Sequence, residues 1–210
     1  MSELRLATES ERQRSDGDGR CRGHELFLYQ ADDPCRDEAE QFVRKVFSAK
    51  HDARVRSFMP TLLAMRNDVG AVCSVAGFRC AAGQPLFLEH YLDEPIERAI
   101  ASAAGQQVSR SQIVEVGHLA GHNCRSAMRL VLELPRILLD RGHRWMAFTA
   151  TDSLRQLLAS YHAPLHELAA ATASRVQNTG DDWGRYYDSQ PRVMAGHLSD
   201  GLHLRRRRGA

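Results

Sequence analysis

The segment Ile113-Val114-Glu115-Val116-Gly117-His118-Leu119-Ala120-Gly121-His122-Asn123-Cys124-Arg125 gathers more reactive side chains than any other stretch of the chain. A carboxylate, two imidazoles, a thiol and a guanidinium run from an Ile/Val-rich stretch into one with helical periodicity. Strand, glycine-containing turn and helix form an anion-binding arrangement, because the free N–H groups at a helix start and its dipole favour a phosphate. Gly121 lets a ligand approach the backbone closely, and Arg125 adds positive charge. Alternation puts Glu115 on one strand face with Ile113 and Gly117, and His118 on the other with Val114 and Val116. A carboxylate flanked by valines is either paired or has a raised pKa. Arg79, at the end of the run 69–78, is a candidate partner. Two readings follow: Glu115 is a general base or amine anchor, or it is half of a structural ion pair between neighbouring strands.

The other reactive groups carry less. His118 and His122 are four residues apart but across a turn, so they lack the helical spacing of metal ligands, and no metal site is expected. No G-x-S-x-G nucleophile motif occurs. Cys124 stands at a helix start, where a thiol pKa can fall, and is read as a bystander. The run Trp183-Gly184-Arg185-Tyr186-Tyr187-Asp188 follows the acidic turn Asp181-Asp182. It either walls a substrate or acyl pocket or packs at a sheet edge.

These groups need a scaffold. The patterns predict strands over 24–29, 61–65, 69–78, 86–89, 112–118, 145–149, 165–168 and 193–197. They predict helices over 37–48 with Asp37 as cap, 95–104 closed by Gly105, 126–141 bent at Pro135, and 152–161. Helices interspersed with mostly adjacent strands define an α/β or α+β sandwich. Residues 1–22 read as a disordered leader, 23–200 as one domain and 201–210 as a solvated basic tail.

Composition narrows the function. Hydrophobic residues make up 43% and charged residues 26% of the 210, the balance of a soluble globular protein. The formal charge of +2 includes Arg205–Arg208; without that tail the rest is slightly acidic, which argues against a nucleic-acid-binding body. No charge-free run exceeds 11 residues, too short for a membrane span. Five cysteines without a CxxC pair, and a polar N-terminus, predict a reducing cytoplasmic setting.

Several motifs together resemble the thermostable hemolysin family: Phe78-Arg79, Leu86-Phe87-Leu88-Glu89-His90-Tyr91-Leu92-Asp93, Pro95-Ile96-Glu97, Val114-Glu115-Val116-Gly117-His118-Leu119-Ala120, Phe148-Thr149-Ala150-Thr151 and Trp183-Gly184-Arg185-Tyr186-Tyr187. That family is similar to the acyl-homoserine lactone synthases of the GCN5-related N-acyltransferase superfamily. Val43-Arg44-Lys45-Val46-Phe47 resembles their R-x-x-V-F segment, and Gly77-Phe78-Arg79 with Pro85-Leu86-Phe87-Leu88 their G-x-x-R-L-x-P-T stretch. The resemblance implies a GNAT-like fold, a central mixed, mostly antiparallel sheet flanked by helices. It implies that Glu115, Arg79 and His118 lie in the catalytic cleft, and that Leu119 and Ala120 splay the central strands around a pantetheine arm. Gly121, His122, Asn123, Arg125 and Ser126 would approach the donor phosphate, with Phe87, Glu89, Thr149, Trp183 and Tyr187 lining the substrate pocket.

Two positions depart from the pattern. Gly117-His118 replaces the Ser-Arg of the lactone synthases, and the loop 121–126 lacks the superfamily's R/Q-x-x-G-x-G/A phosphate cradle. Homoserine lactone chemistry therefore does not carry over, and acyl-CoA and acyl-carrier protein remain alternative donors. The activity implied is direct transfer of a fatty acyl group to the amine of a small molecule, with neither metal nor covalent intermediate. The alternatives are a membrane-active hemolysin and a non-catalytic acyl-binding module.

Overall fold

In the computed structural model, residues 4–6, 24–177 and 180–206 are described. Eight strands form one sheet: β1 (Leu4–Leu6), β2 (Glu25–Tyr29), β3 (Thr61–Arg66), β4 (Val72–Cys80), β5 (Ile113–Gly121), β6 (Trp145–Ala150), β7 (His166–Ala170) and β8 (Arg192–His197). Their order is β1-β2-β3-β4-β5-β6-β8-β7. Every neighbouring pair is antiparallel except β5 and β6, which run parallel. A parallel pair needs a crossover, and helix α3 (Cys124–Leu139) supplies it. The other helices are α1 (Arg36–His51), α2 (Ile96–Ala104), α4 (Asp152–Ser160) and α5 (Leu198–Arg206).

The sheet separates two cores. One holds Val114, Val116, Phe78 and Phe148 against Met128, Leu134 and Leu138 of α3 and Leu158 of α4. The opposite face packs Phe27, Leu62 and Val75 on Val43 and Phe47 of α1, and Ile113, Trp145 and Val193 on Ile96 and Ile100 of α2. The mixed, mostly antiparallel sheet flanked by helices is the architecture expected.

Local chemistry moves several boundaries. Segment 86–89 is not a strand: Phe87–Tyr91 is a 3-10 turn. Glu89 reaches back to the Leu86 N–H, and Glu115 takes those of Phe87 and Leu88, so the donors a strand would give to a neighbour are spent. Helix α1 starts at Arg36, and Asp37 lies inside its first turn rather than capping it. Helix α3 starts two residues earlier than expected, because Asn123 caps it. In the segment read as a leader, Leu4–Leu6 pairs with β2; the remaining residues of 1–22 lie outside those described. Helix α5 carries regular structure to Arg206, into the segment read as a solvated tail, and the last four residues lie outside those described.

The decisive irregularity is in β5. In the register with β4, Gly77 faces Gly117 and Val75 faces Ala120. One residue on β4 thus opposes two, His118 and Leu119, on β5: a β-bulge. His118 has φ 51°, a left-handed conformation that non-glycine residues adopt sparingly. The extra residue breaks the alternation, so His118 does not share a face with Val114 and Val116 as predicted. Its ring meets Phe47 (6.4 Å) and Phe58 (5.2 Å) on the side of Glu115.

Candidate active site

Strands β5 and β6 pair only from Ile113–Trp145 to Val116–Phe148. Beyond that point β5 continues past its bulge and β6 turns toward α4, so the two part. A cavity of ≈ 530 Å³ occupies the gap and reaches both faces of the sheet. On one face Arg79, Glu115, His118, Phe87, Trp183 and Tyr187 line it. On the other it is apolar, bounded by Met128, Val131 and Leu134 of α3, Leu154 and Leu157 of α4, and Leu204 of α5.

Glu115 is 2% exposed. The Phe87 N–H donates to its Oε2 (3.1 Å) and the Leu88 N–H to its Oε1 (3.0 Å). Arg79, its cross-strand partner in the register, brings Nε to 3.1 Å from Oε2, off the line of a hydrogen bond. Burial pushes the carboxyl pKa up, against the pull of Arg79 and the two N–H groups. Partner and pairing are as the strand pattern predicted.

His118 is neutral over most of the pH range, because burial takes its pKa down to about 4. Among the described residues its Nδ1 has no hydrogen-bond partner. The floor beneath it is Met59, held by Arg36, whose buried guanidinium donates to the Met59 carbonyl (2.6 Å) and the Pro60 carbonyl (2.8 Å). A Cβ on Gly117 would stand 2.8 Å from Met59 Cε, and one on Gly77 would stand 3.0 Å from Met59 Cβ. The facing glycines therefore admit the methionine, which accounts for a glycine at 117.

The wall is aromatic. Trp183 packs on Phe47 (6.3 Å), Phe87 (5.8 Å) and Tyr186 (5.8 Å). Its indole Nε1 is buried with no partner among the described residues. Gly184 lets this segment lie against the end of α1: φ is 51°, a Cβ would be 2.3 Å from the His51 carbonyl oxygen, and the Arg185 N–H donates to that oxygen (2.7 Å). Tyr91 and Tyr187 share a hydroxyl hydrogen bond of 2.6 Å, and Tyr186 donates to Thr149 Oγ1 (3.2 Å). Burial raises all three phenol pKa values, that of Tyr186 to about 12, so the hydroxyls stay protonated.

Of the candidate residues, Glu115, Arg79, His118, Leu119, Gly121, Phe87, Thr149, Trp183 and Tyr187 border the cavity; Ala120, His122, Asn123, Arg125, Ser126 and Glu89 do not. Asn123 and Ser126 are spent on each other at the start of α3: Asn123 Oδ1 accepts from the Ser126 N–H (2.9 Å) and Ser126 Oγ from the Asn123 N–H (3.3 Å). The His122 N–H bonds to the Cys73 carbonyl (3.0 Å). Glu89 is tied into the turn before α2, accepting from Ile96 N–H (3.0 Å) and from Arg110 (2.6 and 2.7 Å), and Arg110 takes its pKa to about 2. His51 and Met59 also line the cavity and were not singled out by the sequence; Tyr91 and Tyr186, which line it too, stood only as members of longer motifs. The flanking patterns around them are those of ordinary core and loop residues; only the aromatic run 183–187 carried a legible signal.

This sheet, with a bulged strand parting from its parallel neighbour around a cleft, defines a GNAT-like acyltransferase fold. Solved structures share it. FeeM, an N-acyl amino acid synthase from uncultured soil microbes, superposes with TM-score 0.56 at 13% identity, covering 85% of this chain and 94% of that one. The acyl-homoserine lactone synthase LasI gives TM-score 0.57 at 10% identity, covering 85% and 91%. The CoA-dependent acyl-homoserine lactone synthase BjaI, solved with SAM and isopentyl-CoA, gives 0.55 at 14% identity, covering 89% and 90%. No curated protein matches the sequence. The profile of the thermostable hemolysin family matches residues 29–202, and the chain belongs to that family.

Proposed function

We propose that this protein is an N-acyltransferase that moves a fatty acyl group from a thioester donor, acyl-CoA or acyl-carrier protein, to the amine of a small molecule. The supporting observation is the cleft through the sheet, whose polar end holds Glu115, Arg79 and His118 and whose other end is an apolar sleeve under α3 and α4. A thioester arm lying in the gap puts its acyl chain against hydrocarbon and its carbonyl beside the β5 backbone that β6 leaves unpaired. N–H groups there suit a developing oxyanion. The amine nitrogen attacks the thioester carbonyl carbon; the C–N bond forms, the C–S bond breaks, and the sulfur leaves as thiolate. The nitrogen gives up a proton and the thiolate gains one, so amine and thioester become amide and thiol.

In this reading Glu115 draws the acceptor's amine into place, and neutral His118, whose Nδ1 has no partner among the described residues, accepts from the N–H. Both reactants are held side by side, which supplies much of the acceleration. The family's name raises the membrane-lytic alternative, yet no helix among the described residues is long and apolar enough to cross a membrane.

The test is to incubate purified protein with long-chain acyl-CoA or acyl-carrier protein and a panel of amines, reading free thiol and amide mass. An amide from at least one pairing is expected. No amide together with no donor binding by calorimetry overturns the proposal. Dye release from liposomes without added substrate supports direct lysis instead.

A further inference from the structure

Seven buried side-chain polar atoms lack a hydrogen-bond partner among the described residues, and three of them belong to residues around this one cavity: Arg79 Nε, which has only its off-line ion contact to Glu115, and His118 Nδ1 and Trp183 Nε1. Buried polar groups are nearly always satisfied, so such a concentration marks groups that await a ligand. Their chemistry is not evenly mixed. Trp183 offers only an N–H donor. Arg79 offers a cation whose one ion-pair partner is Glu115, met through Nε; its two terminal nitrogens have no partner among the described residues. The cavity's carboxylates are already engaged: Glu115 by two N–H groups, and Asp181 by the Arg56 and Ser57 N–H groups and the Ser57 hydroxyl.

Unspent donors and a permanent positive charge, next to a neutral imidazole with an open nitrogen, fit a molecule that carries an anion close to its amine. A guanidinium grips a carboxylate through two parallel N–H bonds. Phe87 links the two donors in space, since its ring packs on Trp183 at 5.8 Å and its N–H holds the Glu115 carboxylate beside Arg79. Phe47 likewise touches both Trp183 (6.3 Å) and His118 (6.4 Å).

We infer that the acyl acceptor is an amino acid, its carboxylate bound by Arg79 and Trp183 Nε1 and its amine directed at His118. This rests on the acyl-transfer reading and narrows it to one class of acceptor. The ammonium form first releases a proton to solvent; the neutral amine then attacks the thioester as above, and the product is an N-acyl amino acid plus the free thiol.

The experiment compares phenylalanine with phenethylamine and leucine with isopentylamine, using full-length protein and dodecanoyl-CoA or dodecanoyl carrier protein. In parallel, calorimetry measures binding of N-dodecanoyl-phenylalanine and N-dodecanoyl-phenethylamine, which needs no turnover. The acid is expected to lead its decarboxylated partner by at least about tenfold in kcat/KM and in affinity. Arg79→Gln brings the ratio close to one, Arg79→Lys restores part of it, and Trp183→Phe, which keeps the ring and removes the donor, lowers it severalfold. Equal or better use of the decarboxylated amines overturns the inference while leaving acyl transfer standing. Product binding with a clear acid preference but no amide from any pairing supports the carboxylate site and counts against catalysis. An acid preference in wild type that Arg79→Gln and Trp183→Phe both leave intact overturns the assignment of these two residues.

Discussion

Two carboxylate–arginine pairs stand near one another in this fold, and they differ in how completely they are satisfied. Glu89 accepts two bonds from Arg110 and one each from the N–H groups of Leu86 and Ile96, and is not among the residues that line the cleft. Glu115 is more deeply buried and accepts one N–H each from Phe87 and Leu88, but it meets Arg79 at a single off-line contact, and it faces the cleft. The first pair lowers its carboxyl pKa to about 2; in the second, burial wins and the pKa rises. Both glutamates fasten the 86–91 turn; the difference lies in the arginines, Arg110 being bound on both sides by carboxylates while Arg79, in the cleft, is only partly engaged and keeps charge available for a ligand.

The largest expected effect separates the two by activity. Glu115→Gln keeps the shape and can still accept one of the two turn N–H groups, its amide nitrogen facing the other, so turnover is expected to fall about 100-fold or more while the melting temperature moves by only a few degrees. Equal loss of both would make Glu115 a structural twin of Glu89. The next effect runs the other way. Glu89→Ala leaves the N–H groups of Leu86 and Ile96 without their acceptor and takes from Arg110 one of its two carboxylate partners, Glu97 remaining; it is expected to cost about 2–3 kcal/mol, or about 5–10 °C in melting temperature. Activity per folded molecule should be retained; a specific activity collapsing in step with Glu115→Gln would erase the distinction.

The smallest effect is the pH dependence, and its sign differs between the pairs. An ordinary glutamate carboxyl titrates at 4.5. The lowered value at Glu89 means its stabilisation is present above that pH and is lost as pH falls toward 2. The raised value at Glu115 means its relative stabilisation is present below 4.5 and is lost as pH rises through the folded value. Thermal melts from pH 2 to 7 should therefore show the deficit of Glu89→Gln closing on acidification. Over the same range Glu115→Gln should gain on the wild type as pH rises. Gaps that move together would contradict the contrast.

Several of these features were legible along the chain. Period-two alternation located β5 and set Glu115 against an arginine on the preceding strand, and 3.6-residue periodicity located α1 to α4 within a few residues. Local chemistry that competes with the strand pattern was harder to see: at 86–89 an apolar run looked extended, and two glutamates, one of them 27 residues away from Leu88, pulled it into a 3-10 turn. Asn123 and Ser126 looked like phosphate contacts because cap residues and anion ligands have the same polar composition.

By itself the sequence determined most of the segments that become strands and helices, because these follow from periodicities of adjacent residues, and it made Arg79 a candidate partner for Glu115; the pairing of their strands set the contact. Tertiary structure alone decided that β5 bulges at His118, that β6 leaves it beyond Val116, and that Trp183 closes the cleft from 65 residues beyond His118. Whether a buried polar atom finds a partner depends on which distant segments pack around it, and no local pattern encodes that.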